Sequence, residues 1–211
     1  MLTQKKLEQA QAQFFMRYPG GFENPEMIEV GKKHRMNKMV ATAKALFSVT
    51  ACSNVNVTAA NMVKVVSRSS MVSMFEKPKY RDFVKSLNES DKAFMVNALS
   101  NMIHSRSSKK QQSGFEALVD LLSTEKLAKW SLITIIPAYY APNKEVFVKP
   151  TTAKNVLRHF DVEDPVYKPA PSWDFYHKYR QLINHAKTKV DKSLSPSNAA
   201  FTGFLMMAVK S

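Results

Sequence analysis

A chain of 211 residues with 45% hydrophobic content, 13 Phe and 12 Met can form one large domain or two small ones, with no disulfide or metal needed for a core. Its five glycines disfavour an all-β sandwich or barrel, and Gly20-Gly21, the sole pair, leaves no Gly-rich phosphate loop. Lys+Arg total 31 against Asp+Glu 17, a formal charge of +14 that attracts polyanions, although a basic surface also serves solubility alone.

In chain order, Thr3 to Tyr18 reads as a helix capped by Thr3, with Leu7, Ala10, Phe14 and Tyr18 on one face. Pro19-Gly20-Gly21 stops it. A second helix opens at Asn24-Pro25-Glu26 and is expected to run to about Phe47, with Lys32, Lys33, His34, Arg35 and Lys38 crowding its first half. Ser48 to Asn56 reads as a loop, and helical spacing returns from Val57 to about Arg68. Pro78 starts a helix to Leu87, and Asn88 caps a further one carrying Phe94, Met95, Ala98, Leu99 and Met102.

The polar, basic run from Ser105 to Ser113 is expected to be a mobile loop and the best place for an internal boundary. Phe115 to Leu122 returns to helix, and Ser123-Thr124-Glu125 starts a short one toward Trp130. Leu132 to Ile136 is β-rich and Glu145 to Lys149 alternates apolar and charged residues, which fits a small hairpin; helical continuation from Trp130 to Ile136 is the competing reading. Thr151 or Thr152 caps a short helix, and the three prolines between Asp161 and Pro171 demand an extended loop. Ser172 caps a long helix through Trp173, Tyr176, Tyr179, Ile183, Ala186 and Val190, and Ser195-Pro196 starts a terminal one with Phe201, Phe204, Leu205 and Ala208. No repeat of fixed period emerges.

No catalytic constellation is complete. The five histidines include no i, i+4 pair, and the lone Cys52 rules out a zinc finger, so neither metal nor cofactor is expected. His177-Lys178-Tyr179-Arg180 matches an H-x-x-R box, but the tyrosine nucleophile that tyrosine recombinases need downstream is missing. Glu145 and Lys149 lack the spacing of a nuclease core. The densest ionisable cluster, Arg158 to Asp164, could serve acid–base chemistry or hold a cation, but reads first as a charged helix end running into a Pro-rich loop. An enzyme site around Lys149, His159, Asp161, Tyr176 and His177 is therefore kept as an alternative.

Three basic patches fit polyanion contact: Lys32, Lys33, Arg35 and Lys38; Arg106, Lys109 and Lys110; and Lys178, Arg180, Lys187 and Lys189 beside Tyr176 and Tyr179. Only seven of the cations are arginines, so contact with nucleic acid is expected to follow the phosphate backbone more than base edges. Each patch alone is also what any amphipathic helix needs on its outer face.

Trp130 to Pro137 forms a W-x-x-x-T-x-x-P string, and Phe147 to Thr151 an F-x-K-P-T string. Together these resemble a segment, about a tenth of the chain, of an uncharacterised bacterial protein family. The resemblance implies bacterial origin and an unassigned role. Read from the residues themselves, Lys149 before Pro150 places an ammonium at a helix start, either as an anion site or as a rigid turn.

The expected fold is mainly α, a compact multi-helix single domain over 1–211 with room for one small β-hairpin near 131–149. The leading function is non-catalytic nucleic-acid binding through lysine-rich helix faces; self-association through the Phe- and Met-rich terminal helix is the third reading. With a polar N-terminus and no apolar run near 20 residues, no membrane partner and a cytoplasmic location are expected.

Overall fold

In the computed structural model, which describes residues 1–210, the β-rich run after Trp130 is a helix spanning Trp130–Tyr140. Apart from half-buried Ser131 and Tyr140, every residue in it is buried. A helix that is apolar on all sides is stable only when neighbours surround it, and tertiary packing here overrides local β preference. The expected hairpin does not form, and no strand occurs among the described residues. Glu145 to Lys149 has no regular secondary structure and is held by a side chain: the Val148 N–H donates to Thr134 Oγ1 at 3.0 Å, and that hydroxyl donates to the Trp130 carbonyl at 2.7 Å.

Eleven helices are described: α1 (Gln4–Arg17), α2 (Pro25–His34), α3 (Met36–Leu46), α4 (Val55–Arg68), α5 (Glu76–Ser86), α6 (Glu89–His104), α7 (Ser108–Ser123), α8 (Trp130–Tyr140), α9 (Pro150–His159), α10 (Trp173–Lys187) and α11 (Asn198–Lys210). Around the central α8 pack α3, α4, α6 and α7, while α11 packs against α1, α9 and α10. One buried apolar cluster contains residues from all eleven.

Several helix starts follow their capping signals. Side-chain oxygens of Asn24, Asn88 and Ser172 accept from the N–H groups of Glu26, Asp91 and Phe175. Thr3 holds the cap position of α1, but its hydroxyl donates instead to the Phe160 carbonyl at 2.9 Å, tying α1 to the end of α9.

Other expectations are corrected. The long second helix breaks at Arg35, whose φ of +49° is left-handed, and the turn lets Met39, Ala43 and Phe47 reach the core. The expected mobile loop shrinks to Ser105-Arg106-Ser107, because the Ser107 hydroxyl caps α7 and Ser108 onward is helical. The two helices it joins lie close: a Cβ at Gly114 would collide with the Ala98 carbonyl oxygen, so only glycine permits that approach. No helix starts at Ser123; the chain turns there, with Lys126 at φ +58°. The N-cap of α9 is Lys149, not Thr151 or Thr152.

The terminal helix buries its aromatic residues internally. Phe201, Phe204 and Leu205 are fully buried, and Phe204 meets Phe14 edge-to-face at 5.4 Å. Phe201, Phe204 and Leu205 of the face expected to mediate self-association pack within the chain, whose α11 lies against α1, α9 and α10, while Met206, Met207 and Ala208 are half-buried. No helix among the described residues is long and apolar enough to cross a membrane.

Candidate anion-binding recess

Folding sorts the eleven expected binding cations. On α10, Lys178 pairs with Asp164 and Asp174, each at 3.1 Å, and these carboxylates raise its pKa. Arg180 grips Glu145 and adds a 3.1 Å bond to Gln111 Oε1. Lys187 donates to the Asn143 carbonyl and to Asn198 Oδ1, and burial lowers its pKa. Of that patch, only Lys189 is exposed and outside these networks. On α2, Lys32 pairs with Glu29. Lys33, Arg35, Lys38, Arg106, Lys109 and Lys110 are exposed and belong to none of the ion pairs among the described residues.

The enzyme alternative does not assemble. Lys149 stands at the start of α9 and His159 at its end, about 15 Å apart at 1.5 Å per residue. His159 packs edge-on against Phe160, and its carbonyl accepts from Lys6 Nζ. The same ammonium pairs with Asp161 at 2.8 Å. Tyr176 and His177 belong to a different cluster, in which the Tyr176 hydroxyl donates to Glu145 Oε2 at 2.6 Å. Burial, with Glu145 second, drives the Tyr176 phenol well above its ordinary pKa, so it stays protonated as a donor. No buried side-chain N or O among the described residues lacks a partner. A satisfied network of this kind holds elements together. Cys52 is half-buried, and burial pushes its thiol pKa up, away from a reactive thiolate. Among the described residues no group of three or more His, Cys, Asp and Glu side chains is placed to hold a metal ion.

One recess, of about 220 Å³, is bounded by the α4–α5 link, the starts of α5, α8 and α9, and Pro169. Met71, Trp130 and Phe147 form apolar wall, while Ser73, Glu76 and Ser131 add polar atoms. Lys129 and Lys149 bring the cations. Trp130 Nε1 donates to the Lys168 carbonyl at 2.9 Å, which fixes the Pro-rich loop as one wall.

The two lysines occupy an unusual position. Lys129 is the N-cap of α8 and Lys149 the N-cap of α9, and neither side chain caps its helix. A helix N-terminus carries partial positive charge and exposed N–H donors, so Asp, Asn, Ser or Thr is favoured there and lysine is not. Among the described residues, the N–H groups of Trp130, Ser131, Thr151 and Thr152 meet no protein acceptor. One internal anion helps: Glu76 accepts from Ser131 Oγ at 2.7 Å beside the start of α8. Two lysines added to two positive helix ends leave the recess with more positive than negative charge, an arrangement chemically suited to an anion.

Lys149 was legible as a helix-start ammonium. Lys129 was not, because recognising it requires knowing that the run after it is helical. Against protein-family models, curated proteins and solved structures, the chain finds no match.

Proposed function

We propose that the protein binds nucleic acid through the phosphate backbone, without catalysis, seating phosphate in the Lys129–Lys149 recess. The observation that carries this reading is the pair of lysine N-caps facing one recess. Two further features support it. His34 Nδ1 lies 3.0 Å from Ser70 Oγ, which brings the joint bearing Lys33, Arg35 and Lys38 next to Met71 on the recess wall. The charge surplus is mostly lysine, a point charge suited to phosphate rather than base edges.

The test is affinity for single-stranded DNA, RNA and duplex DNA across a salt series. Each neutralised phosphate contributes a log–log slope of about −0.7 on single strands and −0.9 on duplex. Lys129→Glu with Lys149→Glu should abolish most binding at moderate salt. The milder double alanine variant, losing two phosphate contacts, should shrink the slope by about 1.4 on single strands and about 1.8 on duplex. Lys178→Ala should leave both quantities unchanged, since that ammonium already holds two carboxylates. A flat salt response, or variants indistinguishable from the parent, would remove the proposal.

A further inference from the structure

Ser73 and Glu76 both line the recess, so the two residues between them are next to its wall along the chain. These are Met74 and Phe75, 73% and 76% exposed. Phe75 is not left outside for want of a core, since one apolar cluster runs through every helix. Its backbone is held in place: the Phe75 N–H donates to Ser73 Oγ at 3.3 Å, and the Ser73 carbonyl accepts from the N–H groups of Glu76 and Lys77. An aromatic ring is therefore presented on an ordered turn, with Lys77 and Lys79 following it and Lys129 and Lys149 in the recess. Glu76 is the one acid among the residues lining the recess, and Ser131 engages its carboxylate.

We infer that the recess and this turn form a single-strand docking site, in which a phosphate enters the Lys129–Lys149 recess and an adjacent unpaired base stacks on Phe75. The inference rests on the phosphate-binding reading above and adds to it a strand preference and a residue. Bases in a duplex hide their faces in the stack, whereas a single strand offers them to an aromatic platform. A linear polyanion also suits the layout, because the His34–Ser70 contact brings the α2–α3 joint, with exposed Lys33 and Arg35 on either side of His34, to the residue before Met71 of the recess wall.

The experiment uses the full chain, with an oligothymidylate and an abasic oligomer of equal length. Stacking of one base is worth about tenfold in affinity. The parent should prefer the oligothymidylate by about that factor and should bind it better than a duplex at the same salt. Phe75→Ala should erase the preference and keep the abasic affinity; Phe75→Tyr should keep both. Exposure of Phe75 makes both variants compatible with folding, which circular dichroism checks. Equal binding of the two oligomers by the parent overturns the stacking inference and leaves phosphate binding intact. Binding to neither oligomer overturns both. Phe75-dependent binding to phosphatidylserine vesicles, without oligomer binding, overturns both in favour of an anionic lipid surface.

Discussion

The Arg180 guanidinium meets both oxygens of Glu145, at 2.7 and 2.9 Å, with side chains only 13% and 10% exposed. The pair joins α10 to the segment before α9, two pieces of chain 35 residues apart. Its surroundings are built to hold it, since the guanidinium lies 5.5 Å from the ring centroids of both Trp173 and Tyr176.

Removing one partner of such a pair leaves a charge in a poorly solvated place. Arg180→Ala should cost about 3 kcal/mol of unfolding free energy, measured by urea titration. Glu145→Ala should cost a comparable amount, and the double variant less than the two combined. Nucleic-acid affinity at a temperature where Arg180→Ala remains folded should match the parent, because Arg180 faces Glu145 and not solvent.

Gly114 is the point of closest approach between α6 and α7. Gly114→Ala adds a methyl group where the Ala98 carbonyl and Asn101 Cβ already stand. Alanine's better helix propensity offsets part of that clash. The expected outcome is a net destabilisation of about 2 kcal/mol, seen as a lower melting temperature.

Arg35 has a left-handed backbone that costs an L-residue about 1–2 kcal/mol. Arg35→Gly should therefore stabilise the fold by about 0.5–1 kcal/mol, after glycine's own entropic cost. The same substitution removes an exposed cation at the α2–α3 joint. Weaker oligonucleotide binding and a slope smaller by about one should accompany the gain in stability.

Asp161 gives a pH-dependent prediction. The hydrogen bond from Lys6 holds its carboxyl below the usual range. A depressed carboxyl stabilises the fold above its unfolded pKa of about 3.9 and loses that effect as pH falls through the lower folded value. Asp161→Asn keeps a residue type that tolerates the φ of +54° found here. The parent should be the more stable at pH 7, with the gap closing below about pH 3. A gap that stays constant across this window would mean that the Lys6 contact contributes nothing through charge.

Local signals were readable where a few adjacent residues decide the outcome. Asn24-Pro25-Glu26, Asn88 and Ser172 announce helix starts because a cap needs only its own side chain and an N–H two or three residues on. The apolar faces of α1, α6 and α10 were visible for the same reason. The run from Leu132 to Ile136 was ambiguous in principle, since five buried β-branched and leucine side chains suit a strand or a helix enclosed on all sides. The break at Arg35 has no local signature at all, as arginine is an ordinary helix residue.

The sequence by itself determined a helix-rich chain, a large lysine surplus and the absence of any complete catalytic motif. Which cations remain available was a tertiary decision. Lys178, Arg180 and Lys187 look identical in sequence to free surface charges, and they are consumed by Asp164, Glu145 and Asn198 only because folding brings those partners within reach. Lys129 and Lys149, twenty positions apart, became neighbours of one recess because two helices begin there. Charge composition is additive along a chain, but the field at a site depends on distances, and only the packed helices set those.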